Sequence, residues 1–492
     1  MAIYADKCGK IIFLAILLMN SFFFSFSLTP NEIFDLLSEP ITSDSEEDDD
    51  TIDVIFEPPK ETAFAQSDED SDLSDAEATQ DINHLPSRIL RSAGVFQGCN
   101  NPKTSDNGSN NQIGKKPSTR KKKKDRHWDK KSAEVALNFP ASPDDATTPS
   151  EVSPLACFEK VFPMSLVEHI VEQTNIYSQL HGRDVKVSSE EILGIIGLMI
   201  YSGFKPVHDK QLMWCGDDDV SLKWAKDLMP KNRFKAILRD LHLADNSSLN
   251  SDDPYYKVRP FFERLNKSFL ESLPLDQNIC VDEVMVPYYG RHGTKQFIRG
   301  KPVRYGYKIW ALASSKGYMY QVEPYCGAMT NLETTGYGQG YDVVLGLLNK
   351  SNVPSGKCIY FDNLFTSLSL LDELTNKGIG GCGTMRENRL GGVPITSKKA
   401  FEKLPRGTCE HMSDSKNLIV RWNDNKAVTT CTNFVPLEPK SEGRRYVKKQ
   451  GGHITVEIPG PIHAYNKNMG GVDLFDQCLS NYRSSIRTKK WW

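Results

Sequence analysis

The sequence predicts an α/β fold in which a mixed sheet follows a helical segment and an N-terminal region without regular structure. Three observations support this prediction. Apolar residues recur at helical spacing from about residue 157 to about residue 241, and from about residue 277 the apolar period changes to two. Helical patterns then lie between and after the strand-like runs, which favours a sheet with mixed strand directions. The residues before about 150 contain few apolar clusters, and the 492 residues leave room for two or three domains.

Residues 1–28 contain an apolar stretch that begins at Ile11 and ends at Leu28, after Lys7 and Lys10. Such a pattern is typical of a secretory signal peptide or a membrane anchor. The alternative is an added exon or a mistaken start codon. Because strongly charged tracts follow, we favour this alternative and expect the protein not to associate with a membrane.

The net charge of -3 hides a strong asymmetry along the chain. Residues 44–81 contain sixteen acidic residues and one base, whereas residues 115–131 contain ten bases and two acids. We expect residues 29–152 to be disordered, because they cannot bury enough apolar surface to offset the entropy of the chain. The basic tract is either a solvated linker or a nuclear localisation signal that also contacts DNA phosphate. Its density favours the nuclear signal, centred on Lys121, Lys122, Lys123 and Lys124.

The eleven cysteines are spread from Cys8 to Cys478, with no C-x-x-C pair and no Cys/His cluster at zinc-ligand spacing. An odd, scattered set is typical of reduced thiols in the cytosol or nucleus. We therefore expect no zinc site in this chain.

Residues 153–270 predict a helical domain. One helix contains Phe158 and Leu166, a second begins at a cap formed by Ser188 or Ser189, and a third contains Phe234. The segment is either a packing module or a DNA-contacting domain, and its Lys and Arg content permits the second.

Residues 271–492 predict the sheet. The runs NICVDEVMVPYYG, VRYGYKIWALAS, GYMYQVEPYCG and GKCIYFD indicate strands. The stretches YDVVLGLLNK and LFTSLSLLDELTNKG indicate helices, the second with Gly378 at its C-cap.

Carboxylates occur at distinctive places in this sheet. Asp282 lies within the first strand, where an acid is costly unless it is paired, protonated or bound to a metal. Asp362 ends another apolar strand, and Asp473 and Asp476 lie three apart in a helical pattern. Each acid alone has an ordinary alternative as a turn cap. Together they predict a site for two Mg²⁺ or Mn²⁺ ions that assists phosphodiester cleavage.

Basic residues are dense beside these acids and are interleaved with aromatic residues. The alternative is a solvated hairpin with aromatic core residues, but the pattern also predicts a surface that follows a phosphate backbone. The candidate DNA-binding residues are Arg291, Lys295, Arg299, Lys301, Arg304, Lys308, Arg386 and Arg389.

Seven motifs resemble the piggyBac family of transposases and the transposable element-derived proteins related to it. The motifs occur in family order from residue 153 to the last residue. They are EQTNIY (172–177), NRFKAILRDLHLADN (232–246), ICVDEVMVPYYGR (279–291), GKPVRYGYKIWAL (300–312), YFDNLFTS (360–367), GTMRENR (383–389) and NKNMGGVDLFDQ (466–477). Several motifs at compatible spacing are more specific than any single motif.

The resemblance implies an RNase H-like catalytic domain at residues 271–492. It also implies a preceding helical domain that binds transposon ends and forms a homodimer. The implied activity is Mg²⁺-dependent DNA cleavage, hairpin formation and insertion at TTAA sites, with no small-molecule substrate. By motif, Asp282, Asp362 and Asp473 match the three catalytic aspartates, and Asp476 matches a supporting carboxylate. Arg386 and Arg389 fall in a basic segment that handles target DNA.

The sequence ends at Trp492, inside the motif RTKKWW, where family members continue. We therefore expect the catalytic domain to be incomplete at its C-terminus. Three hypotheses remain. The protein is an active transposase, a catalytically silent nuclear DNA-binding derivative, or a secreted or membrane-anchored protein. We rank DNA binding first, transposase chemistry second and secretion last.

Overall fold

The computed structural model describes residues 126–130, 135–139, 153–205, 209–216, 223–248, 252–288, 290, 292–298, 303–447 and 451–484. The apolar stretch of residues 11–28, the acidic tract and the basic run at Lys121, Lys122, Lys123 and Lys124 lie outside this part of the chain. Across the ranges just given, every helix is too short or too polar to cross a bilayer.

The first half of the described chain is helical. Ser188, the first of the two expected cap residues, caps the third helix through a reciprocal capping box with Glu191. The helices are α1 (Pro154–Val161), α2 (Met164–Leu180), α3 (Ser189–Phe204), α4 (Lys223–Leu228), α5 (Lys231–Asp240) and α6 (Arg259–Ser272), with a 3₁₀ turn at Lys210–Trp214.

A mixed sheet follows, as the change of apolar period predicts. Its strands are β1 (Asn278–Pro287), β2 (Gln296–Phe297), β3 (Tyr305–Ser314), β4 (Met319–Pro324), β5 (Cys358–Phe361), β6 (Gly380–Thr384), β7 (Cys409–Ser413), β8 (Leu418–Asn423) and β9 (Ala427–Thr432). Among the described residues their order is β2-β3-β1-β5-β6-β9-β8-β7, with β4 also paired to β3.

The centre of the sheet combines both strand directions. Strand β3 pairs antiparallel with β1 and with β4, while β1, β5 and β6 run parallel to one another. Helices α7 (Gln339–Lys350) and α8 (Leu368–Asn376) are the connections of this parallel part. Because β1 and β5 run in the same direction, residues that follow them lie at one edge of the sheet.

Between β6 and the last helices the chain adds further structure. After a short helix α9 (Lys398–Phe401), strands β7, β8 and β9 extend the sheet through antiparallel pairs. A separate two-stranded hairpin, β10 (Ser441–Val447) and β11 (Gly452–Ile458), then leads to α10 (Gly460–Asn468) and α11 (Gly471–Asn481). Helix α11 packs on β1 and β3, which brings the C-terminal acids to the sheet.

The helical segment and the sheet share one hydrophobic core. Phe261 and Phe269 of α6 belong to the same buried cluster as Trp310 of β3. Asn266 of α6 also exchanges two hydrogen bonds with the backbone of Val322 in β4, at 3.0 and 2.9 Å. The change near residue 270 is therefore a change of secondary structure within one core, and a helical domain that folds on its own remains a prediction.

Part of the region expected to be disordered is ordered against the sheet. Leu137 donates its backbone N–H to the carbonyl of Asn433, Phe139 contacts the ring of Phe434, and Asp129 forms a β-bridge with Ser413. The expectation of disorder for residues 29–152 is wrong for residues 126–130 and 135–139. These contacts lie about 280 residues away in sequence, where local composition gives no sign of them.

Candidate active site

Asp282 lies inside β1 and Asp362 directly follows β5, and each aspartate follows the last residue pair of the parallel β1–β5 ladder. Val281 of β1 pairs with Phe361 of β5, and the two aspartates are the next residues on each chain. Both side chains are half-buried, whereas Val281 and Phe361 are fully buried. The parallel register thus aligns Asp282 with Asp362, and the predicted positions, Asp282 inside a strand and Asp362 at a strand end, are confirmed.

The backbone holds both carboxylates in defined positions. The Oδ1 atom of Asp282 accepts the N–H of Glu283 at 2.8 Å, and the Oδ1 atom of Asp362 accepts the N–H of Leu364 at 2.6 Å. The carbonyl of Asp362 also accepts the N–H of Thr366 and its hydroxyl. The loop after β5 is therefore a tight turn wound around Asp362.

Asp473 lies in the first turn of α11, and this helix approaches the sheet closely at Gly471. A Cβ atom at Gly471 would lie 2.0 Å from the carbonyl oxygen of Ser314 and 2.8 Å from the Sγ atom of Cys280. Cys280 stands two residues before Asp282 on β1. The close approach brings the start of α11 to the strand that carries Asp282.

The charges of the three aspartates affect the pKa values of two nearby side chains, the buried Cys280 and the half-buried Tyr465. Burial and, to a smaller extent, the charges of Asp282 and Asp473 together raise the pKa of the Cys280 thiol to about 12. Burial also raises the pKa of Tyr465 on α10 well above its usual range, and the charges of Asp362 and Asp282 act in the same direction. Asp282 therefore lies within electrostatic range of both Cys280 and Tyr465.

Asp476 follows Asp473 by three residues on α11. Asp473 is exposed, while Asp476 is half-buried, so the two acids do not have the same access to solvent. The helical pattern that the sequence predicted here is confirmed, and it places both acids within one turn.

The chemistry of these side chains fits a hard divalent cation, because carboxylate oxygens are the donors that Mg²⁺ and Mn²⁺ prefer. In the described residues, however, no three Asp, Glu, His or Cys side chains lie close enough together to form a complete set of metal ligands. Neighbouring carboxylates repel one another when no cation lies between them. The donor types therefore fit the ions, and the acids would need to close around them.

The predicted basic surface divides into different environments. Arg291, Arg299 and Lys301 lie outside the described residues. Lys295 extends over the ring of Tyr305. Arg304, the residue before Tyr305, is half-buried. These two side chains remain candidates for contact with a phosphate backbone.

Lys308 has close partners within the protein. Its Nζ atom lies 3.5 Å from Oε2 of Glu283 and 4.3 Å from the ring centroid of Trp310, and its side chain is 11% exposed. A cation held in this way stabilises the interior of the β1–β3 pair. Its assignment as a DNA contact stays a prediction.

Arg386 and Arg389 lie beside the loop that carries Asp362. The Nε atom of Arg386 donates to the side-chain oxygen of Asn363 at 2.8 Å. The Nη1 atom of Arg389 lies within 2.7–3.0 Å of three backbone carbonyls of the same loop. Burial lowers the pKa of Arg389, and the nearby charge of Arg386 lowers it further.

Sequence reasoning missed Gly471, Tyr465 and the contacts of Arg389. The motif NKNMGGVDLFDQ contains Gly471, but nothing in the spacing shows that a carbonyl from β3 approaches it. Tyr465 precedes Asp473 by eight residues and lies on a different helix. Only the packing of α10 and α11 against the sheet identifies both residues as part of the site.

Comparison with known proteins concerns the family and the fold of this chain. The family model described as Transposase IS4 matches residues 153–492. The human PiggyBac transposable element-derived protein 3 is 34% identical over 95% of this chain and 81% of its own length. The human PiggyBac transposable element-derived protein 2 is 30% identical over 89% of this chain and 75% of its own length.

A solved structure has the same fold. It is described as the cryo-EM structure of a piggyBac transposase synaptic complex with hairpin DNA, and it superimposes with a TM-score of 0.58. The match covers 70% of this chain and 71% of the other, at 24% identity. The family model, the human relatives and the shared mixed α/β fold agree with one another, and the chain belongs to the piggyBac transposase family.

Proposed function

We propose that this chain is a piggyBac-type DNA transposase that cleaves phosphodiester bonds and transfers strands at TTAA sites. One observation carries the proposal. Asp282 and Asp362 follow paired residues on adjacent parallel strands, and the start of α11 with Asp473 packs onto the same strand. The buried Cys280 is within electrostatic range of Asp282 and Asp473, and the half-buried Tyr465 is within range of Asp362 and Asp282.

The strand order supports an RNase H-like catalytic domain. Three antiparallel strands, β4, β3 and β1, continue into two parallel strands, β5 and β6, and a late helix packs on the central strand. In this proposal β7, β8 and β9 are an insertion between β6 and that helix. The insertion lengthens the sheet without separating the three acids.

The acids would hold Mg²⁺ or Mn²⁺ ions, with Asp282, Asp362 and Asp473 as ligands and Asp476 in support. When bound, such ions lower the pKa of a water or 3′-hydroxyl and stabilise the oxygen that leaves the phosphorus. The protein contributes position: the N–H groups of Glu283 and Leu364 orient two of the carboxylates. The buried core behind Cys280 keeps the rim rigid.

The basic side chains near the acids and the family of the chain both support DNA as the partner. Lys295 and Arg304 on the β2–β3 side, and Arg386 beside Asp362, would contact phosphates of a bound strand. The helical segment before the sheet would recognise transposon ends and form a homodimer. The related transposase structure contains hairpin DNA, which is the partner we propose here. The protein would act in the nucleus, where the basic run at Lys121–Lys124 would direct it.

A second candidate function is DNA binding without catalysis. The favouring observation is that the acids among the described residues do not form a ready metal-ligand set. Two human relatives of this chain are named as transposable element-derived proteins rather than as transposases. Both functions predict DNA binding, but only the first predicts cleavage that depends on a divalent ion.

The test is a nicking assay on DNA with TTAA flanks, in Mg²⁺ and then Mn²⁺. The variants are Asp282→Asn, Asp362→Asn and Asp473→Asn, and the control is Asp184→Asn, whose side chain is 60% exposed. We expect nicking by the wild type, a loss of about 100-fold or more in each active-site variant, and no change in the control. Binding of the same DNA without a divalent ion is measured in parallel for every variant.

The outcomes separate the two functions. DNA binding with no nicking in either ion supports the silent DNA-binding protein and contradicts the transposase proposal. Nicking that survives Asp282→Asn and Asp362→Asn also contradicts it, because the activity would then come from another site or a contaminant. No binding of TTAA-flanked DNA by a folded wild-type protein contradicts both candidate functions.

A further inference from the structure

Arg389 holds the backbone of the loop that carries Asp362. Its Nη1 atom donates to the carbonyls of Asn363 at 3.0 Å, Leu364 at 2.7 Å and Thr366 at 3.0 Å. The side chain is half-buried. A guanidinium that donates to three carbonyls of one short loop stabilises the conformation of that loop, because carbonyl groups at a tight turn need donors.

The rest of this loop is fixed from its other sides. Its amide groups turn inward, since the N–H groups of Leu364 and Thr366 bond to Asp362. A Cβ atom at Gly340, at the start of α7, would lie 2.5 Å from the carbonyl of Leu364. A Cβ atom at Gly383 in β6 would lie 2.3 Å from the hydroxyl of Thr366. The loop fits a closely packed space, in which the guanidinium of Arg389 donates to the carbonyls of Asn363, Leu364 and Thr366.

Arg386 has a different environment three residues earlier. Its Nε atom bonds to the side chain of Asn363 and not to the loop backbone. The segment between the two arginines is anchored at Glu387, whose carboxylate bonds to the fully buried guanidinium of Arg421 in β8. Arg421 also donates to the carbonyl of Thr396 and the hydroxyl of Thr429. Glu387 therefore fixes the turn from which Arg389 reaches the loop.

We propose that Arg389 is a positioning residue for Asp362, and that Arg386 alone of the pair contacts DNA. The proposal rests on the proposed function for its effect on cleavage, but not for its effect on the loop. It divides a basic motif that the sequence treats as one DNA-binding unit. In this proposal the strands β7–β9 help to position the loop that carries Asp362. The connection runs from Arg421 of β8 through Glu387 to Arg389.

The first test measures the loop directly by hydrogen exchange in the full-length protein without DNA. The variants are Arg389→Ala, Arg389→Lys and Arg386→Ala. We expect Arg389→Ala to speed exchange of the peptide spanning residues 362–367 by about tenfold or more, with the β1 peptide unchanged. Arg389→Lys should restore part of the protection, because an ammonium group can still donate to carbonyls. Arg386→Ala should leave the loop as protected as in the wild type.

The second test separates binding from cleavage. We expect Arg389→Ala to bind TTAA-flanked DNA within about twofold of the wild type but to nick it about tenfold more slowly. Arg386→Ala should weaken binding and reduce the salt dependence of the dissociation constant.

Unchanged loop exchange in Arg389→Ala would overturn the inference. Weaker DNA binding by Arg389→Ala that matches Arg386→Ala, with normal loop exchange, would overturn it too. If the wild type binds DNA but does not nick it, the transposase proposal fails, while the exchange experiment still decides whether Arg389 holds the loop.

Discussion

Gly471 at the start of α11 lies against the backbone of Ser314 at the end of β3, and a Cβ atom there would come within 2.0 Å of the Ser314 carbonyl oxygen. Real side chains do not tolerate such a distance, and the obstacle is backbone that cannot rotate away. The neighbouring Gly470 differs, since a Cβ atom on it would meet nothing within 4 Å. Two adjacent glycines in one motif thus have different physical roles.

Gly471→Ala should displace the start of α11 and move Asp473 away from Asp282. We expect a loss of stability of about 1–3 kcal/mol, as in other overpacked cores, and a loss of DNA nicking. Thermal unfolding and the nicking assay measure the two effects. Gly470→Ala is the matched control and should change neither quantity. Equal behaviour of the two variants would mean that the close approach does not fix the position of α11.

Arg126→Ala should release the N-terminal segment from the sheet. The Nη2 atom of Arg126 lies 2.7 Å from Oδ2 of Asp372, and Nη1 pairs with Asp414, which is 5% exposed. Because removal of one partner leaves buried charge uncompensated, we expect a cost of about 2 kcal/mol, less than for a fully buried pair. Limited proteolysis near residue 130 and chemical denaturation measure the release.

Lys130→Ala is the control for Arg126→Ala. Lys130 pairs with Glu410 at 3.6 Å, but its side chain is 65% exposed. We expect a change within about 0.5 kcal/mol, as for other exposed ion pairs. Equal protease sensitivity of the two variants would contradict an anchoring role for Arg126.

The stability of the fold should contain a contribution from His292 that is lost in mild acid. Burial and, to a smaller extent, the charge of Lys257 together lower the pKa of His292 to about 4. The unfolded chain has the usual value near 6.5, so between pH 6.5 and 4 it binds more protons than the folded protein. Folding stability therefore falls as the pH falls through this window, by at most about 1.4 kcal/mol per pH unit from this residue.

Denaturant unfolding of the wild type and of His292→Gln, measured from pH 8 to pH 4, checks this prediction. Acidic residues contribute to both proteins, so the difference between the two curves isolates His292. We expect the difference to be constant above pH 7 and to change below pH 6.5. Parallel curves across the whole range would show that His292 titrates normally in the folded protein.

The local pattern of the chain was sufficient to predict the mixed sheet and the secondary-structure positions of three aspartates. The apolar run before Asp362 indicates a strand end, and the apolar neighbours of Asp282 indicate a carboxylate inside a strand. The same logic predicted the cap of α3 at Ser188 and the helical turn at Asp473. Periodicity succeeds here because burial repeats every two residues in a strand and every three to four in a helix.

The same local logic failed where contacts join distant parts of the chain. Arg126 and Phe139 lie in the segment predicted to be disordered, yet Arg126 pairs with Asp372 of α8 and with Asp414 after β7, and Phe139 contacts Phe434 after β9. The sequence likewise gives no sign that Arg389, whose contact with DNA stays a prediction, donates to the backbone carbonyls of Asn363 and Leu364. Composition records whether a segment can bury surface by itself, and it does not record the surface that another part of the chain offers.

The sequence by itself determined the family of this protein, the strands and helices of its core and the identity of the candidate acids, because each depends on residues close together in the chain. The tertiary structure alone decided which strand residues pair beside Asp282 and Asp362, which arginine donates to the carbonyls of the loop and which glycine carries the close approach of α11. The physical reason is register. The pairing of Val281 with Phe361 and the contact of Gly471 with Ser314 fix positions within a few tenths of an ångström, and such distances follow only from the packing of the whole sheet.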